Sequence, residues 1–573
     1  MNTPRGDGPN WVRDAVFYQI FPDRFAASVR VLKPGALEPW DAAPTPHGFK
    51  GGDLLGIAEH LDELRELGIT ALYLTPIFAS ASNHRYHTFD YELVDPLLGG
   101  DAALRELLDR AHERGMRVVL DGVFNHASRG FWPFHHVLEN GAHSPYRDWF
   151  YLDPEVLADR RGVTAYPGTA EAEAIRRVHD GLEVGGELSA ASPHPPESAA
   201  AAYHEASEPV VPPPFRSASQ RVLGYQAWWD LPALPKLNHS NPAVREYIYR
   251  VAERWLQFGI DGWRLDVPEE ISEPGFWEEF RRRCLAVNPE AYIVGEIWTP
   301  AAEWLAGDRF HAVMNYPLAE AILSFTGAGA GRLDQALVEK THEYARHVHP
   351  VDGPEFGVWL ETVMSTYKPE VTSLQLNLLD SHDTPRFISM AGGDATTLRL
   401  AALIQMTLPG APCIYYGDEV GLGGRADPDC RRGYPWDPAR QDNGLRDFYA
   451  GLIAVRHAEP MLRHGRFELL AARGSAVAYG LFDPGKSEPV SSVLGHTGIS
   501  KPTRSIVVAV NAGDAPAHLE CVLPDQADYR VQRVSWRGCE WGKAFVSRPL
   551  ERGTLVVELA PREGVVLGVD PAL

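Results

Sequence analysis

Residues 244–266 read VREYIYRVAERWLQFGIDGWRLD, a helix followed by a strand within one short stretch. Val244, Tyr247, Ile248, Val251 and Trp255 recur at helical spacing, one apolar stripe on an otherwise charged surface. After Gly259 the period changes, and Gly262–Asp266 is a short apolar run of the kind buried inside a parallel sheet. The same unit recurs along the chain. Further strands are predicted at Val16–Phe21, Ala71–Thr75, Val118–Val123, Tyr292–Glu296, Ala312–Asn315, Leu374–Leu379 and Cys413–Tyr416. Amphipathic helices intervene, one of them marked by Leu104, Leu107, Leu108 and Ala111. Eight strands alternating with helices predict an α/β fold, a closed (β/α)₈ TIM barrel.

Two stretches depart from that rhythm. More than a hundred residues separate the third strand from the helix near Ala243, where ordinary βα loops take 2–6. This predicts an inserted domain B over residues 127–237. Within it, residues 185–216 read GGELSAASPHPPESAAAAYHEASEPVVPPPFR, too polar and proline-rich to bury much apolar surface. The segment is expected to be mobile and to carry no chemistry. After about Arg463 the helical period ends, and β-type runs at Ala476–Phe482, Ile506–Asn511, Tyr529–Val534 and Leu555–Leu559 predict a C-terminal antiparallel β-sandwich. The division is then a barrel of residues 1–126 and 238–462, domain B, and a sandwich of 463–573.

Composition narrows the function. Over 573 residues, Asp and Glu number 76 against 54 Lys and Arg, a formal charge of −22. That balance disfavours phosphate backbones and anionic membrane surfaces. Neither nucleic acid nor membrane is expected as a partner. Five cysteines without CxxC or Cys/His spacing argue against a disulfide framework or a structural zinc site. Residues 1–14 lack the charged-then-apolar pattern of a secretory signal, so a cytoplasmic location is expected.

Chemistry in such a barrel gathers at the C-terminal ends of the strands. Three of those ends reach a carboxylate: GWRLDV at Asp266, IVGEI at Glu296, and LQLNLLDSHDTPR at Asp383, just past His382. Retaining glycosidases need two carboxyl groups roughly 5–5.5 Å apart. Strands four and five are neighbours about 4.8 Å apart, so Asp266 and Glu296 can meet that separation. Arg264, two residues before Asp266, points to the same side of the strand, where its guanidinium would keep Asp266 ionised. Glu296 must keep its proton if it is to act as an acid near neutral pH.

The segments DGVFNH (121–126), GWRLD (262–266), GEIW (295–298) and LLDSHD (378–383) resemble the ordered signature regions of the α-amylase family, glycoside hydrolase family thirteen. That resemblance implies Asp266 as nucleophile, Glu296 as general acid/base and Asp383 as the carboxylate that grips sugar hydroxyls. It also implies His126 and His382 as hydroxyl contacts, Arg264 as the residue orienting Asp266, and Asp121 as a positioning carboxylate. NHRYHTFDY (83–91) resembles the loop after the second strand, implying His84 as a hydroxyl contact and Tyr86 as a stacking platform. His87, one residue on, receives no role.

VFYQIFPDRF (16–25) and LPKLN (234–238) resemble the neopullulanase, cyclomaltodextrinase and maltogenic amylase branch, with Leu234 in place of that branch's Met. GAPCIYYGDE (410–419) and DPDCRRGYPWD (427–437) continue the likeness, which runs from residue 11 to about 460. Members of that branch carry an N-terminal β domain that builds a dimer. Here the barrel begins near Trp11, so a monomer or weak homo-oligomer is expected. Asn125 matches a calcium ligand of some members, but AASVRVLKPGALEPWD after PDRF lacks alternating Asp and Asn ligands. No cofactor and no metal site are expected, calcium being compatible with the sequence but not required by it. The expected activity is retaining hydrolysis of α-1,4, and in part α-1,6, glucosidic bonds in maltooligosaccharides, cyclodextrins or related α-glucans. A 4-α-glucanotransferase or α-glucosidase of the same family is the alternative.

Overall fold

A computed structural model describes residues 8–158, 162–179, 217–484, 505–524, 529–537, 540–549 and 553–571. The mobile stretch expected at 185–216 and the fifth cysteine, Cys539, lie outside the described residues. No described helix is long and apolar enough to cross a membrane.

The helix of the opening stretch spans Pro242–Phe258. The Asn241 side chain accepts from Ala243 N at its start, Pro242 fills the first turn, and Gly259 ends it at φ 113°. Val244, Ile248, Val251 and Trp255 are buried, and Tyr247 is only partly covered. Parallel pairing then assembles eight short strands, β1 Phe17–Ile20, β2 Ala71–Leu74, β3 Arg117–Gly122, β4 Gly262–Leu265, β5 Tyr292–Gly295, β6 Ala312–Val313, β7 Leu376–Asn377 and β8 Ala411–Tyr415. Their order is β6-β5-β4-β3-β2-β1-β8-β7. A single parallel bridge, Met314 to Leu376, joins the two ends, and the Asn315 amide donates to Asn377 Oδ1 at 2.8 Å across that seam. The barrel is thus nearly closed. A Cβ on Gly262 would collide with the Tyr292 carbonyl, so β4 and β5 can approach only with glycine there.

Between β3 and β4 the chain forms the helices Trp132–Asn140, Pro154–Ala158, Thr169–His179 and Ala218–Leu223. It returns to the barrel mouth through bridges of Lys236 to His126 and Leu237 to Phe150.

The C-terminal strands are β9 Arg466–Arg473, β10 Ala476–Phe482, β11 Ser505–Asn511, β12 Ala517–Val522, β13 Tyr529–Arg537, β14 Glu540–Pro549, β15 Thr554–Leu559 and β16 Gly564–Pro571. A six-stranded sheet, β9-β10-β11-β16-β13-β14, faces the pair β12-β15. Alternation along β10 and β11 explains why both are buried throughout. Val477, Tyr479, Ile506 and Val508 join the barrel core, while Ala476, Ala478, Val507 and Ala509 turn into a second core between the two sheets.

Candidate active site

Asp266 and Glu296 are the first residues beyond β4 and β5. Each is held by the ladder itself: Asp266 N donates to Gly122 O at 3.1 Å, and Glu296 N to Leu265 O at 2.9 Å. They stand side by side at the barrel mouth, 7 % and 4 % exposed.

Arg264 lies fully buried beneath them. Its Nη1 reaches both oxygens of Asp121 at 2.9 Å and Asp266 Oδ1 at 3.1 Å, and its Nη2 reaches Glu296 Oε1 at 2.7 Å. One guanidinium therefore serves three carboxyl groups, and its tightest contact is to Glu296. Arg264 is expected to orient Asp266, and the contact to Asp266 is accompanied by one to Glu296. Burial, together with Glu296, Asp121 and Asp383, outweighs Arg264 and pushes the Asp266 carboxyl well above the ordinary range. Burial likewise raises Glu296. In the free cleft this pair keeps a proton to higher pH than a solvated carboxyl would.

Around the arginine the polar network is continuous. Tyr73 and Tyr86 each donate a hydroxyl to Asp121 Oδ2 at 2.8 Å. The Tyr86 ring stacks on His382, centroids 5.4 Å apart at 3°, and its hydroxyl approaches His382 Nε2 at 2.5 Å. Gln19 Nε2 donates to His382 Nδ1 at 2.8 Å, which leaves the proton on Nε2, 2.9 Å from Asp383 Oδ2. Burial pushes the Asp383 carboxyl upward, but His382, Arg431 and Arg264 together bring it below the usual carboxylate range.

A cavity of about 450 Å³ opens over these groups. Of the eight expected site residues, His84, Tyr86, His126, Asp266, Glu296 and Asp383 line it, whereas Arg264 and His382 lie behind as fully buried supports. Burial holds His126 neutral, down to about 3, and puts His84 well below the usual imidazole value.

Several lining residues were not anticipated. Arg431 anchors the Asp383 loop, with Nη2 3.2 Å from Asp383 Oδ1 and Nε donating to His382 O at 2.8 Å. Trp229, 56 % exposed, stacks on Trp228 at 4.7 Å, and Trp228 stacks on His126 at 4.8 Å. Trp298 packs flat on Tyr316 at 3.6 Å. Glu269 lines the cavity, and burial pushes its carboxyl up to about 8. His87 lines the cavity too, lowered by burial to about 4. Of these, His87, Arg431 and Trp298 fall within stretches of recognisable pattern, NHRYHTFDY, DPDCRRGYPWD and GEIW.

Among the described residues no group of three or more His, Cys, Asp or Glu side chains is arranged to hold a metal ion. Asn125 Oδ1 is buried without a hydrogen-bond donor among them, a single oxygen where calcium takes six to eight.

Comparison with known proteins locates this architecture. The family described as "Alpha amylase, catalytic domain" matches residues 19–461. A cyclomaltodextrinase from Bacillus sp is 40% identical over 475 residues, 82% of this chain and 71% of that protein. Neopullulanase 2 of Thermoactinomyces vulgaris is 37% identical over 520 residues, 90% of this chain and 75% of that protein. The crystal structure of the debranching enzyme from Nostoc punctiforme superposes with a TM-score of 0.72 at 41% identity, covering 98% of this chain and 99% of that one.

Proposed function

Because the chain belongs to the α-amylase family of glycoside hydrolases, and so is a glycosidase acting on α-glucans, we propose that it cleaves α-1,4-glucosidic bonds with retention of configuration. Maltooligosaccharides and cyclodextrins are the proposed substrates, with α-1,6 bonds as secondary ones. In this reading Asp266 attacks the anomeric carbon and forms a covalent glycosyl-enzyme. Glu296 protonates the leaving oxygen and then takes a proton from water. Asp383, kept anionic by His382 and Arg431, binds the hydroxyls of the sugar being cleaved. His84, Tyr86 and His126 contact that sugar, and Arg264 and His382 fix the groups that touch it.

The observation that carries the proposal is the single guanidinium shared by Asp266 and Glu296. Two carboxyls bound to adjacent nitrogens of one planar group are near enough for the roughly 5–5.5 Å spacing of a retaining pair. Burial raises both carboxyls, and the acid step needs a proton on Glu296. Arg264 gives the remaining charge a counter-ion. A glucosyl acceptor in place of water would yield a 4-α-glucanotransferase by the same chemistry. The reading further includes a cytoplasmic monomer or weak homo-oligomer that works without a metal.

The test is incubation with maltotriose, maltoheptaose, β-cyclodextrin and pullulan, with and without EDTA, following product sizes. Shorter linear maltooligosaccharides from both linear and cyclic substrates, undiminished by EDTA, are expected. Products longer than the donor would favour the transferase, and loss of activity in EDTA would overturn metal independence.

A further inference from the structure

Apart from the catalytic cavity, a groove of about 360 Å³ is lined by Ala27, Trp40, Asp41, Trp436, Asp437 and Arg440, and the two share no lining residue. One wall is the chain that follows β1. The other is the segment after β8 that also supplies Arg431 to the catalytic cavity. The cleavage chemistry uses none of these six residues.

Both indoles are tied down through their N–H groups, each by the opposite wall. Trp40 Nε1 donates to Tyr434 O at 2.8 Å, and Trp436 Nε1 donates to Phe25 O at 2.6 Å. Beneath Trp40 the buried Lys50 ammonium donates to Pro39 O and Ala42 O, both at 2.8 Å, and so closes the turn that carries Trp40 and Asp41. A Cβ on Gly433 would stand 3.0 Å from Trp40 Nε1, so glycine lets the indole lie against the opposite backbone. Trp436 packs on His60, with ring centroids 3.7 Å apart and planes 23° from parallel. Both tryptophans remain partly exposed. With their N–H groups already used, what they offer a ligand is fixed apolar surface. Little ordering is left for binding to impose.

The rim is polar and of mixed character. Arg440 pairs with Asp41, and both side chains are exposed. Asp437 accepts from Ala439 N at 3.0 Å in the short turn that carries Arg440. Two carboxylates against one guanidinium disfavour phosphates and other anions. A neutral ligand rich in hydroxyls meets all three groups, since its O–H groups donate to the carboxylates and its oxygens accept from the guanidinium. A pyranose adds apolar C–H groups that pack on an indole. Rigid aromatic surface beside a mixed polar rim is therefore the chemistry of a sugar site.

We infer that this groove is a second, non-catalytic binding site for α-glucan chains, with Trp40 and Trp436 as platforms for glucosyl units and Asp41, Asp437 and Arg440 as hydroxyl partners. The choice of an α-glucan among sugars rests on the reading of the catalytic cleft given above. Such a site holds a polymeric substrate to the enzyme while the cleft acts on it, by the gain in effective concentration that a second attachment brings.

The test compares the full-length wild type with W40A and with the double variant D41A/R440A. Each is run in cold native gels with and without amylopectin, and kcat/KM is measured with maltotriose. Amylopectin should retard the wild type, and the affinity read from mobility against polymer concentration should fall about 5- to 10-fold in W40A, the loss expected for one buried apolar platform. Turnover of maltotriose should be unchanged. A wild type that amylopectin does not retard, undiminished retardation in W40A, or a parallel loss of maltotriose turnover would overturn the second site. The double variant changes only exposed side chains and is read in the same way if W40A does not fold. Failure of the wild type to cleave maltotriose would count against the proposed activity, and the mobility comparison would still decide the groove.

Discussion

Arg264 stands closer to Glu296 than to Asp266, with Nη2 2.7 Å from Glu296 Oε1 and Nη1 3.1 Å from Asp266 Oδ1. The guanidinium thus bridges the two groups proposed to do opposite work, and it lowers both carboxyls against the larger upward effect of burial. Lysine offers one charge point and cannot span the pair. Arg264→Lys is expected to lower kcat by about 100-fold or more, in line with the loss of a buried preorganised donor. A lysine charge that reaches only one carboxyl lets the other rise, so the acid limb of kcat/KM should move to higher pH. Steady-state kinetics across pH checks both effects.

Arg431 holds Asp383 anionic and fixes the His382 carbonyl from the far side of the loop. Arg431→Ala should reduce kcat/KM by about 10- to 100-fold, the range of roughly 1.4–2.7 kcal/mol of transition-state binding. Arg431→Lys should restore part of it through charge alone. Equal losses in the two variants would point to packing and not to charge.

His126 is buried beside Trp228 and stays neutral to about pH 3 in the folded protein, whereas an unfolded histidine takes its proton near pH 6.5. Stability that depends on it is present above that value and is lost as pH falls toward 3. Each pH unit below about 6.5 should remove up to roughly 1.4 kcal/mol. The unfolding free energy from urea titrations should therefore fall between pH 7 and pH 5 by about 2 kcal/mol more in the wild type than in His126→Gln.

Cys284, Cys413, Cys430 and Cys521 are free and buried, and burial pushes the Cys430 and Cys521 thiols up to about 12. Thiolates are the reactive form. All four should react slowly with a thiol reagent in the folded protein and rapidly in denaturant, as a timed absorbance assay would record.

The parts of this architecture that were legible in the sequence are those set by local periodicity. The strands Ala71–Leu74 and Tyr292–Gly295 are buried on every residue, so they read as unbroken apolar runs, and the carboxylates just beyond β4 and β5 interrupt those runs visibly. Features made by distant contacts left no such trace. Arg431 meets Asp383 across 48 residues, and nothing around it predicts a partner. Trp229 and Asp230 take left-handed φ of 51° and 55°, where glycine is usual. A bulky pair gives no warning of that turn, so the aromatic stack at the cleft mouth went unread. β9, Arg466–Arg473, is partly exposed along most of its length and lacks a clean alternation. It was missed for that reason.

Asp266 is the group proposed to form a covalent bond to the sugar. A 5-fluoro-α-D-glucosyl fluoride incubated with the enzyme, followed by proteolysis and mass spectrometry, tests it directly. A fluoroglucosyl label is expected on the peptide containing Asp266 and is absent from Asp266→Asn. A label on another carboxylate, or turnover with no trapped species and a β-anomeric first product, would contradict it.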